Sequence, residues 1–99
     1  MDYLDELRKG IDKTFKCHAT HVKTVPVKAM FNQQVAWDGE VEVFDIEGHP
    51  KAIRCYSWGV PNSDGTLGIT TALEIPPVTS PESAVMFAIA NAARVRDEN

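Results

Sequence analysis

Val35-Ala36-Trp37-Asp38-Gly39-Glu40-Val41-Glu42-Val43 sets an Asp-Gly pair between runs that alternate apolar and polar residues, the strongest short-range signal for a β-hairpin. A hairpin makes neighbouring strands antiparallel. Read this way, the turn falls at Asp38-Gly39, Trp37 and Val41 share the covered face, and Glu40 and Glu42 fall at outward positions. The second arm continues to Ile46 but breaks its alternation at Val43-Phe44. A bulge, or burial of both faces of the strand, accounts for the break.

Working outward, Glu47-Gly48-His49-Pro50 is a turn signal, and Ala52-Ile53-Arg54-Cys55-Tyr56-Ser57-Trp58 reads as the next strand. Pro61-Asn62-Ser63-Asp64-Gly65 is a longer turn, after which Ile69, Thr71, Leu73 and Ile75 alternate cleanly. Pro76-Pro77 ends that strand, because proline has no N–H for a ladder and restricts the residue before it. Ser80 then offers an N-cap, Pro81 suits the first helical position and Glu82 the first turn, which predicts a helix to about Arg96. Its apolar arc of Ala84, Val85, Ala88, Ile89, Ala92 and Ala93 is mostly small, so it can approach a sheet closely.

Upstream, the stretch from Cys17 to Ala29 is rich in β-branched residues, and Pro26 within it predicts an edge strand or a strand with a break. From Asp2 to about Phe15, Leu4, Leu7, Ile11 and Phe15 recur at helical spacing. Asp2, Asp5 and Glu6 lie in the first turns and Lys13 and Lys16 near the end, an order that complements the helix dipole. The expected fold is α+β: an N-terminal helix, an antiparallel sheet of three to five strands and a C-terminal helix, arranged as a two-layer sandwich in a single domain over residues 1–99.

Composition bounds the function. With 99 residues and 43% apolar content, the chain can bury one core without a metal or disulfide staple, and its ordinary usage excludes disordered, collagen-like and repeat classes. A formal net charge of −4 argues against nonspecific coating of nucleic acid or an anionic membrane. No apolar run reaches the roughly 20 residues of a membrane span, and the opening Met1-Asp2-Tyr3-Leu4-Asp5-Glu6 is acidic where a secretory signal is basic and then apolar. The expectation is a cytoplasmic protein with no membrane partner. The charge is uneven: Arg8, Lys9, Lys13, Lys16, Lys23 and Lys28 are opposed by Asp12, whereas Asp38, Glu40, Glu42, Asp45 and Glu47 form an acidic stretch. Such blocks either dock partners or balance each other across the fold.

No Gly-rich phosphate loop, His-Glu-x-x-His, Cys-x-x-Cys or Gly-x-Ser-x-Gly is present, so no cofactor is implied and the balance leans away from an enzyme. Cys17, His21 and His49 form a weak alternative metal set, since thiolate and imidazole suit zinc, but Cys17 and His21 on a strand stand about 13 Å apart. Without a secretory signal, Cys17 and Cys55 are expected as free thiols. Arg54, Tyr56 and Trp58 alternate along one strand, and with Trp37 they make the expected ligand- or partner-binding face, a guanidinium beside amphipathic aromatics. The bland reading packs Tyr56 and Trp58 beneath a terminal helix with Arg54 at its edge.

The order helix at Asp2, strands near Val41, Ile53 and Ile69, and helix at Pro81 is similar to that of the double-stranded-RNA-binding domain. The resemblance is one of topology. Ser80-Pro81-Glu82-Ser83-Ala84 stands where that family carries a lysine-rich phosphate grip, so RNA binding is not implied. The functional expectation is a small bacterial or mobile-element protein acting as a noncatalytic module for a protein or small-molecule ligand, with a homodimer through a sheet face or edge strand as a further expectation. The alternatives are a small enzyme or metal-binding protein using His21, His49 or Cys55, and a nucleic-acid-binding module using the basic first third.

Overall fold

The computed structural model describes residues 3–61 and 63–97, with side chains described for all of these but 61, 67 and 92–97. Helix α1 (Tyr3–Phe15) is followed by strands β1 (His18–Phe31), β2 (Gln34–Glu47), β3 (Arg54–Pro61) and β4 (Leu67–Leu73), and by helix α2 (Pro81–Asp97). The strands form one antiparallel meander in the order β1-β2-β3-β4. This is the expected α+β order, with Pro26 on an edge strand as its missing N–H requires. Asp2 and Asn62 lie outside the described residues, as do the side chains of Ala92 and Ala93.

The expected turn at Asp38-Gly39 is a correction. The β1–β2 connection is Asn32-Gln33, where both residues are left-handed, with φ of 54° and 65°, the paired positive φ values of a type I′ turn. Asp38 and Gly39 lie within β2, opposite Lys28 and Val27. Gly39 is needed there for space. A Cβ would come within 2.7 Å of the Trp37 ring, so the indole lies down along its own strand over the glycine. Trp37 and Val41 do share a face, through the two-residue period of one strand.

Val43 and Phe44 are both fully buried, one in each of two apolar clusters. Burial of both faces therefore accounts for the broken alternation of β2. The bulge lies on the partner strand, where the register shifts between His21 and Lys23. The extra residue reverses the facing of β1: Ala19 points to one side, Val27 and Ala29 to the other. Leu7 and Ile11 of α1 pack on Ala19, Phe44, Ile46 and Cys55. Val78 and then Ala84 and Val85 of α2 pack on Val27, Ala29, Val41, Val43, Tyr56 and Trp58. The helices thus pack on opposite faces of the sheet, so the α+β order stands while the expected two layers become three, helix, sheet and helix. Ser80 caps α2 as predicted, its Oγ accepting from Ser83 N at 3.1 Å while Ser83 Oγ accepts from Ser80 N at 2.9 Å, a reciprocal cap.

The turn and the glycine give opposed expectations. Gln33→Gly should stabilise the protein by about 1 kcal/mol, because glycine adopts the left-handed region without steric cost. Gly39→Ala should destabilise it by about 1–3 kcal/mol and shift the tryptophan fluorescence, because the Trp37 ring must leave its place. Urea unfolding of the two variants checks both signs; a neutral Gly39→Ala would mean that the indole does not need the glycine.

Candidate functional site

The aromatic face predicted as a binding surface is core. Tyr56 and Trp58 are 2% and 3% exposed and lie in the cluster beneath α2. The Tyr56 hydroxyl donates to Glu74 Oε2, and burial followed by this carboxylate raises its pKa. Trp37 is half-buried and its ring meets that of Trp58 at 6.0 Å and 53°. Arg54 stays at the margin, with Nε donating to Asp45 Oδ1 at 3.0 Å. The reason is the apolar stripe of α2, which covers the face these even-numbered residues share, so an open stacking platform is corrected to a helix–sheet interface.

The opposite face carries an arrangement that sequence reasoning missed. The ladder places Thr24, Glu42, Ser57 and Thr71 opposite one another in turn, a polar row crossing all four strands. Glu42, expected to point outward, is 5% exposed. Its Oε1 accepts from Thr24 Oγ1 at 2.5 Å and lies 2.9 Å from His21 Nε2. Ser57 Oγ donates to the Thr70 carbonyl at 3.1 Å and lies 3.0 Å from Thr71 Oγ1. These bonds are what allow polar groups to be buried mid-sheet, since an unpaired carboxylate there would cost several kcal/mol.

His21 links the row to the surface. Its ring packs edge-on against Phe44 at 5.3 Å, and its side chain is 31% exposed. It borders an open groove of about 210 Å³ whose other walls are Leu4, Asp5, Arg8 and Phe44. Within the groove Arg8 donates to Asp5 at 2.9 Å and to Asp12 at 3.1 Å, and the cations of Arg8 and Lys9 hold the Asp5 carboxyl below its usual range. With Nε2 committed to Glu42, Nδ1 makes no hydrogen bond among the described residues. The imidazole is thus oriented by a carboxylate on one nitrogen and can accept or donate with the other.

Tyr3 closes the upper end. The β2–β3 ladder stops at Glu42 opposite Ser57. Gly59, the next β3 residue with its N–H on the β2 side, donates instead to the Tyr3 hydroxyl at 2.8 Å. The phenol thus fills the place of a ladder carbonyl where the two strands diverge. Burial, and then the nearby Glu42 and Glu40 charges, raise the Tyr3 pKa against the lowering effect of the Gly59 bond.

The weak metal set is not brought together. Cys17 Sγ faces the Ile11 carbonyl at 3.9 Å, His21 is tied to Glu42, and His49 Nδ1 accepts the amides of Lys51 at 3.1 Å and Ala52 at 3.0 Å. Among the described residues no group of three His, Cys, Asp or Glu side chains is placed to hold a metal ion. The two cysteines are free. Burial pushes the Cys55 thiol up to about 12, helped by the neighbouring Cys17, and raises Cys17 itself.

Two measurements check these thiols. In the folded protein at pH 8, Cys17 should label slowly and Cys55 should resist labelling until urea unfolds the chain, as read by mass spectrometry. The sign in alkali follows from the raised pKa. The Cys55 proton is kept on folding and given up on unfolding, so its contribution to stability is complete below about pH 9. That contribution is lost as pH rises toward 12, with a slope approaching 1.4 kcal/mol per pH unit. Cys55→Ala should flatten that fall; an unchanged slope would contradict the buried thiol.

Compared with protein-family models, with curated proteins and with solved structures, the chain matches none.

Proposed function

We propose that this chain is a noncatalytic binding module of the cytoplasm that receives its ligand, a small molecule or a side chain of a protein partner, in the groove beside His21. The observation that carries this reading is the buried Glu42 carboxylate spent on orienting one histidine whose second nitrogen stays available. A sheet is usually no less stable with apolar residues in place of such a pair, which supports a role for the pair outside stability. The groove supplies one hydrogen-bonding edge from His21 and an apolar wall from Leu4 and Phe44. It suits a ligand that joins a hydroxyl, amide or carboxylate to an apolar body.

Binding is favoured over catalysis because the nucleophiles nearby are committed. Ser57 Oγ is already bonded to Thr70 and Thr71, and burial keeps Cys55 protonated at neutral pH. The nucleic-acid reading loses ground as well. Arg8 and Lys9 are paired with Asp5 and Asp12, and Lys28 stands opposite Asp38 in the ladder, so part of the basic block is cancelled locally.

The test is a fragment screen followed on the 15N-labelled imidazole of His21 by NMR. Fragments that pair an aromatic or aliphatic body with a carboxylate or hydroxyl should shift the His21 ring signals more than those of His18 and His49. The same fragments should shift the backbone amides of Leu4, Arg8 and Phe44, and the double variant His21→Phe/Glu42→Leu should abolish these amide shifts while leaving stability equal or up to about 4 kcal/mol higher. Shifts that persist in the double variant would place the ligand elsewhere, and a double variant that fails to fold would make the pair structural.

A further inference from the structure

The two edges of the sheet differ in kind. β1 carries Lys23 and Lys28 and has Pro26 in its length, the usual means of keeping an edge unpaired. β4 reads Leu67-Gly68-Ile69-Thr70-Thr71-Ala72-Leu73, without a charge or a proline. Its hydrogen-bonding phase is fixed by the strands beside it: Ile46 N donates to Ile53 O and Glu74 N donates to Arg54 O, each at 2.9 Å. Even-numbered residues of β4 therefore turn their backbone groups toward β3, and Ile69 and Thr71 turn theirs away from the sheet. Ile69 is 44% exposed. Among the described residues the main helix contacts fall on β1 and β2.

We propose that β4 is a dimerisation edge, which pairs antiparallel with β4 of a second copy about a two-fold axis at Thr70 and joins the two sheets into one. The partner is a second copy because the edge is complementary to itself. About that axis Ile69 meets Thr71 of the other copy in both directions, and each such outward pair exchanges two N–H···O bonds. Thr70 meets Thr70 on the axis and Gly68 meets Ala72 at either flank, so the non-bonded positions hold small residues and a favourable threonine pair. A two-fold axis sets any charge close to it beside its own copy, and β4 has none to repel. Pairing β4 with β1 of another copy is head-to-tail and would run on into a fibre; Pro26 and the two lysines oppose it. The dimer does not depend on the His21 groove.

Thr70 provides the test. Wild-type protein in analytical ultracentrifugation should sediment at twice the 10.9 kDa mass of the chain. Thr70→Glu and Thr70→Lys should each sediment as monomers with an unchanged circular dichroism spectrum, and an equimolar mixture of the two should restore a one-to-one dimer. Thr70→Cys in a Cys17→Ser background should oxidise to a disulfide-linked dimer, because opposed non-bonded residues of an antiparallel pair lie about 4.5 Å apart at Cα; Thr24→Cys on the β1 edge should not. A wild type that stays monomeric at its highest soluble concentration overturns the proposal. So does a dimer that survives both charge variants, and so does a mixture that fails to re-form it.

Discussion

Val43 and Phe44 are consecutive residues of β2, and neither has any surface left in contact with water. Since consecutive strand residues point to opposite faces, their joint burial obliges the chain to supply cover on both sides of the sheet. The two helices are that cover, and they come from opposite ends of the sequence because the meander occupies the middle. The same demand explains the bulge at Val22. Without a reversal of facing in β1, the apolar residues of its first and last parts would lie on one face and leave one helix short of a floor.

What could be read beforehand was local. The Ser80 cap, the Pro26 edge, the helical spacing of Leu7 and Ile11 and the end of the last strand near Pro76-Pro77 depend on residues a few positions apart. The misread elements are those whose partners are distant or whose cause is ambiguous. Gly39 looks the same in a sequence whether it serves a turn or clears room for an indole. Glu42 has the alternation of an outward residue; its partners His21 and Thr24 lie 21 and 18 positions away, across a bulge that no pattern announced. Alternation sets Tyr56 and Trp58 on one face, yet which face α2 covers is a tertiary choice. The signal that could have found the site was the excess of polar residues, Thr24, Glu42, Ser57 and Thr71, at mid-strand positions.

Charge shows the same division between local and distant. Beneath the net value of −4 lie ion pairs made within one helix, such as Arg8 with Asp5 and Asp12, and across the sheet, such as Arg54 with Asp45. Exposed pairs of this type contribute little to stability. The Arg8 pairs neutralise the rim of the groove, so that the His21 ring is read there largely through hydrogen bonding and shape.

Tyr3 and Gly59 are 56 positions apart, and closing a loop of that length costs about 3.6 kcal/mol, against roughly 1 kcal/mol of net gain from one hydrogen bond. The contact therefore exists only because Leu7 and Ile11 have already docked. It closes with the docking of α1 and can open by fraying of that helix alone. Opening there frays one turn of helix and leaves the core intact, so the polar row meets water through a local fluctuation far shallower than global unfolding.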